Sequence, residues 1–123
     1  MVYGVKRLQR SFGHAIDGLL HTLKYEKNMQ IHMAAMVIIL GLSYFFEITG
    51  TEIVMIIFAI MLVIICELIN TALETTLDLF IKGYNPIAKT AKDIAAAAVL
   101  ISAIGSVIIG IIIFYPKIKG IMN

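Results

Sequence analysis

The chain has 123 residues, a length suited to one domain; 60% of them are hydrophobic, only 15% are charged, and mean hydropathy is +0.95. A soluble domain averages roughly 45–50% apolar and about 25% charged, so this composition excludes both an ordinary water-soluble globule and a disordered chain. The net charge of +2 is too small to mark a nucleic-acid binder, and the single cysteine, Cys66, excludes an internal disulfide framework or a cysteine-based zinc site.

Residues 5–24 read as an amphipathic helix. Val5, Leu8, Phe12, Ile16, Leu19 and Leu23 recur every three or four residues, and Lys6, Arg10, His14, Asp17, His21 and Lys24 fall opposite them. A basic helix of this kind is expected to lie in the membrane surface. Charges interrupt it before any apolar core forms, so it is not expected to be a secretory signal. His14, Asp17 and His21 share a face, but the surrounding lysines and arginine would repel a cation, so they read as a solvated polar face.

Three stretches are long and apolar enough to cross ~30 Å of hydrocarbon, which takes about 20 helical residues. They cover roughly 28–47, 52–81 and 90–115. Asn28–Phe46 contains no Asp, Glu, Lys or Arg, Ile53–Cys66 is wholly apolar, and Ile94–Tyr115 is uncharged. Glu47–Glu52 is expected to form the first loop, with Glu47 and Glu52 as loop charges, and Lys82-Gly83-Tyr84-Asn85-Pro86 the second; Pro116 is expected to end the last span. The fold class is an all-α membrane protein with an N-terminal amphipathic surface helix plus three transmembrane helices, in a single integral-membrane domain over residues 1–123.

Eight of the ten basic residues flank the first span's start or lie in the second loop, which assigns that side and the N-terminus to the cytoplasm. Lys117 and Lys119 then fall on the far side, a minor conflict with the rule.

The segment from Cys66 to Asp78 holds the chemistry. At about 100° per residue, Glu67, Asn70, Glu74 and Asp78 project from one helical face within roughly 80° of each other. Counted from Ile53, Glu67 lies about 21 Å along the helix, Glu74 about 32 Å and Asp78 about 38 Å. Glu67 therefore sits inside the cytoplasmic boundary, while Glu74 and Asp78 reach water. Glu26, Lys92 and Asp93 lie at the same level, at the cytoplasmic ends of the first and third spans. Carboxylates grouped in this way suit Mg²⁺, which takes one or two of them together with water and substrate phosphates. A deeper carboxylate could accept a proton from an alcohol whose tail stays in lipid. The residues alone leave open a proton or cation pathway, or polar contacts between helices.

Glu67-Leu68-Ile69-Asn70-Thr71-Ala72-Leu73-Glu74 with Asp78 resembles the E-x-x-N-[ST]-A-[IL]-E-x-x-x-D signature of the prokaryotic diacylglycerol kinase/undecaprenol kinase family. Ala91-Lys92-Asp93 with Ala96-Ala97-Ala98-Val99-Leu100 resembles that family's A-K-D-x-x-[SA]-A-[SA]-V-L segment. Glu26-Lys27-Asn28-Met29-Gln30-Ile31-His32 is similar to the E-x-N-x-x-I-H pattern of the Gram-positive, undecaprenol kinase branch; the Gram-negative branch has an arginine in place of Gln30. The resemblance runs from about Arg10 to Tyr115 and implies a homotrimeric lipid kinase that uses ATP and Mg²⁺, with active sites shared between subunits. It implies Glu67 as the general base, with Asn70 beside the transferring phosphate. Glu26 and Glu74 would hold metal, Lys92 would contact phosphate, and Asp78 and Asp93 would position the nucleotide or Lys92. Undecaprenol is the expected acceptor, and diacylglycerol the alternative.

A proton- or cation-coupled transporter would need its polar stripe to continue across the membrane. Ile53–Cys66 offers no polar side chain, and the third span only Ser102 and Ser106. Gly105–Gly110 has the spacing of a phosphate loop but is followed by Ile111-Ile112 instead of Lys-Ser/Thr. His32 reads as a hydrogen-bonded residue near a helix end and Cys66 as a small filler beside Glu67. Ala98, Ser102, Ser106 and Gly110 form a small-residue line suited to close helix packing, within or between subunits.

Overall fold

The computed structural model describes residues 1–123 as four helices: α1 (Val2–Tyr25), α2 (Lys27–Phe45), α3 (Gly50–Phe80) and α4 (Pro86–Met122). The last three are long and apolar enough to cross a membrane. The expected surface helix and three spans are all present.

Local chemistry sets each boundary. Glu26, extended at φ −100° and ψ 114°, separates α1 from α2, and its N–H still bonds to the Thr22 carbonyl. The Gln30 amide donates back across this corner to the carbonyls of Leu23 (3.0 Å) and Lys24 (3.2 Å), two acceptors that the end of α1 leaves without helical partners. At the end of α2 the N–H of Ile48 bonds to Ser43 and that of Glu47 to Tyr44, with Glu47 in the left-handed region at φ 50°. This is the Schellman arrangement, here closed without glycine. Thr49 and Glu52 then form a reciprocal capping box that starts α3. Gly83, at φ 81°, turns the chain after α3, and the Asn85 side chain accepts from the N–H groups of Ile87 and Ala88 to start α4, with Pro86 in its first turn.

Two boundaries differ from those expected. Glu52 is not a loop charge: it belongs to the first turn of α3 and pairs with Lys117 of α4 at 3.1 Å. That pairing gives Lys117 a local reason to lie on the far side. Pro116 does not end α4, which continues to Met122. Proline removes a single N–H from the ladder, and membrane helices tolerate that loss.

The packing is sparse. Only 13 of 123 residues are buried, and α2 contributes just Met29 and Ser43, so most of its apolar surface must meet lipid or another chain. The closest association is α3 against α4, where Ser102 is buried and the Ser106 hydroxyl donates to the Ala59 carbonyl of α3 at 3.2 Å. Ser102 and Ser106 of the small-residue line thus pack within the chain, whereas Ala98 is exposed. At the far end Ile56, Ile113 and Phe114 form the apolar core, with Ile39, Phe46 and Ile60 packed around them. On α1, Val5, Leu8, Phe12 and Ile16 are exposed, a stripe no other helix covers, as expected of a helix lying on a membrane.

Candidate active site

The inward face of α3 changes character halfway along. It buries Ile56, Ala59 and Val63 at helical spacing and then, in continuous register, Glu67, Asn70 and Thr71. Glu67 is 1% exposed and its Oε2 has no hydrogen-bond partner; the buried Asn70 Oδ1 and Thr71 Oγ1 are also unpartnered. An unsatisfied buried polar group costs about 1–3 kcal/mol, more when charged, so three within five residues mark a place built to receive polar atoms from elsewhere.

Around this point the sequence-predicted groups gather. Glu26, Glu74 and His32 are the charged or ionisable neighbours that act on the Glu67 carboxylate. His32 Nε2 lies 3.7 Å from Glu67 Oε2. The Asn70 amide donates to Glu74 Oε1 at 3.4 Å. Glu74 in turn acts on Lys92, whose ammonium is paired with Asp78 at 2.5 Å. A chain of groups therefore runs from the half-buried Glu26 and His32 through the buried Glu67 and Asn70 to the half-buried Glu74 and Lys92 and the exposed Asp78. Asp93 stands apart from it, since its partner is Lys89, at 2.6 Å, and not Lys92.

Two hollows flank the chain. An apolar groove of about 530 Å³ runs between α2, α3 and α4, and 16 of its 19 lining residues are hydrophobic, among them Met36, Ile39, Ile60, Val63 and Phe114. Such a wall suits a hydrocarbon tail and offers an ion almost nothing. His32 lines this groove on the side of Glu67. The second hollow, about 310 Å³, lies at the α3–α4 turn beside Asp78, Tyr84, Asn85, Lys89 and Lys92.

No three His, Cys, Asp or Glu side chains converge to hold a metal ion by themselves. Magnesium bound largely through substrate phosphates needs only one or two carboxylates. Glu74, with the unpartnered Asn70 Oδ1 near it, offers hard oxygens of that kind, and Glu26 lies close enough to Glu67 for their charges to interact.

Sequence reasoning underrated three residues. His32 is not a hydrogen-bonded helix-end residue: it faces Glu67 from a neighbouring helix. Thr71 was visible only as part of a motif. Gln30 carries the α1–α2 corner and thereby the placement of Glu26. Cys66, half-buried and unbonded, fits its reading as a filler.

The family model described as prokaryotic diacylglycerol kinase matches residues 13–114. The chain is 40% identical over 114 residues to the undecaprenol kinase of Bacillus subtilis (strain 168), covering 93% of each chain. It is 34% identical over 113 residues to a diacylglycerol kinase of Synechocystis, covering 91% of this chain and 65% of that protein. It is 29% identical over 105 residues to the diacylglycerol kinase of Escherichia coli K12, covering 85% and 86%. A three-span membrane bundle with a buried carboxylate beside an apolar groove, matched over most of its length by these relatives, belongs to the prokaryotic diacylglycerol kinase family of membrane lipid kinases.

Proposed function

We propose that this lipid kinase transfers the terminal phosphoryl group of ATP to the hydroxyl of a membrane lipid alcohol at the cytoplasmic edge of the bilayer, undecaprenol being the preferred acceptor and diacylglycerol the alternative. The observation that carries the reading is the position of Glu67: a buried carboxylate between an apolar groove on one side and the half-buried Glu74 and Lys92 with the exposed Asp78 on the other. The lipid tail occupies the groove, which brings its hydroxyl to Glu67. The nucleotide approaches from the wet side, where Lys92 meets its phosphates.

Glu67 accepts the hydroxyl proton as the lipid oxygen bonds to the terminal phosphorus and the bond from that phosphorus to the bridging oxygen breaks, releasing ADP. Phosphoryl transfer needs chiefly alignment and charge neutralisation, which a sparse set of side chains can supply. Glu74 and Glu26 would hold Mg²⁺, which supplies neutralisation of the phosphate charge. Asn70, hydrogen-bonded to Glu74, fixes the direction of that carboxylate.

Undecaprenol is favoured by the Glu26–His32 segment and by the similarity to a Bacillus protein of that name. The working unit is a homotrimer in this reading; the open apolar surface of α2 and the few buried residues favour an assembly. The concentration of lysine and arginine at the start of α2 and in the α3–α4 turn favours a cytoplasmic site and N-terminus.

The test is to give the purified full-length protein in mixed micelles terminally labelled Mg-ATP with undecaprenol and diacylglycerol in parallel. Label should enter undecaprenyl phosphate faster than phosphatidic acid. Faster labelling of diacylglycerol would reverse the substrate order, and labelling of neither lipid would overturn the reading.

A further inference from the structure

His32 is the residue on which three independent observations meet. Its Nε2 is 3.7 Å from Glu67 Oε2, on a different helix. That same Oε2 is sealed from solvent and has no hydrogen-bond partner. His32 also lines the apolar groove, where it is the sole ionisable group apart from Tyr115. It stands where the groove meets the carboxylate.

We infer that His32 is a positioning residue: it donates from Nε2 to Glu67 Oε2 and so turns the second carboxylate oxygen toward a lipid hydroxyl at the mouth of the groove. The inference rests on Glu67 being the base. A free carboxylate on a long side chain samples several directions, and proton abstraction requires one oxygen within hydrogen-bond reach of the hydroxyl. The separation of 3.7 Å exceeds a formed hydrogen bond. Catalytic contacts are often long without substrate and shorten when it binds. Entry of the lipid head beside His32 would exclude water from the gap and favour that closure. The tautomer required carries its proton on Nε2, the nitrogen that faces Glu67. The imidazole needs no change of charge for this role.

The variants that test it separate ring volume from hydrogen-bond donation. His32→Phe keeps the volume and removes the donor. His32→Gln places an amide nitrogen near the position of Nε2, whereas the shorter side chain of His32→Asn stops near that of Nδ1. Each is assayed as the full-length protein in mixed micelles with undecaprenol and Mg-ATP, after circular dichroism and gel filtration confirm folding. His32→Phe should lower kcat about tenfold or more, the scale of a misdirected reacting group, while the KM for ATP stays within about twofold. His32→Gln should recover to within about threefold of the wild-type kcat, and His32→Asn should not.

A wild-type kcat in His32→Phe overturns the inference, as does a His32→Gln protein as slow as His32→Phe. If His32→Phe does not fold, the comparison of Gln with Asn decides, and equal rates for the two overturn it. Glu67→Gln run beside them keeps the failures apart. Wild-type turnover there removes the base, and this inference with it; an inactive Glu67→Gln with an unaffected His32→Phe removes the positioning role alone.

Discussion

Lys92 of α4 holds Asp78 of α3 at 2.5 Å, closing the wet end of the polar stripe across the turn that joins the two longest helices. Both side chains reach water, so the pair contributes little to stability, and its significance lies in where it holds the ammonium. Lys92→Ala should raise the ATP concentration for half-maximal rate about tenfold, as expected for loss of a charge-assisted contact to phosphate. Asp78→Asn leaves the ammonium in place and should shift it far less. Steady-state kinetics at saturating lipid measures both, and an unchanged ATP requirement in Lys92→Ala would remove that residue from the nucleotide site.

Glu67→Gln keeps the size of the side chain and removes its ability to take a proton. It should lower turnover by about 10²–10⁴, the range general-base catalysis supplies. Nucleotide affinity, measured by equilibrium dialysis, should stay near wild type because the nucleotide is assigned to the other end of the stripe. Wild-type turnover would reject the base assignment.

Glu74 is proposed for a different role, as a metal ligand, and should fail differently. Its half-buried carboxylate accepts from the Asn70 amide at 3.4 Å, one turn along α3 from the exposed Asp78. Glu74→Gln should raise the Mg²⁺ concentration for half-maximal activity by about tenfold, since a neutral amide is a much poorer ligand for a hard cation. Chelation should abolish wild-type turnover and added Mg²⁺ restore it. A Mg²⁺ requirement unchanged by Glu74→Gln would place the metal elsewhere.

The spans and the polar stripe were legible because helical periodicity and hydropathy report directly on one helix at a time. Two missed features also had local signals. Thr49-x-x-Glu52 has the spacing of a capping box, which puts Glu52 inside a helix. Lys89 and Asp93 stand four residues apart, the spacing of a helical ion pair, and so claim each other before Lys92 can. Pro116 misled because the rule that proline stops a helix comes from chains in water. The contact of His32 with Glu67 had no local signal at all. It depends on the relative rotation of α2 and α3, which no single segment encodes.

That rotation is anchored at the α1–α2 corner, where Gln30 donates to the carbonyls of Leu23 and Lys24. Glu26, an expected metal ligand, is the single residue between the two helices, so the corner also sets its direction. Gln30→Ala should cost about 0.5–1.5 kcal/mol, the net value of a hydrogen bond, and speed amide exchange in residues 20–30. Gln30→Glu should be worse than Gln30→Ala, because an ionised carboxylate has no proton to donate and faces two carbonyl oxygens across the corner. Gln30→Arg should retain most of the corner, since a guanidinium donates to several acceptors and suits the negative end of α1. Thermal unfolding and hydrogen exchange give the order. If alanine and glutamate leave exchange at residues 20–30 as slow as in wild type, the corner is held by packing, and Gln30 has no part in placing Glu26.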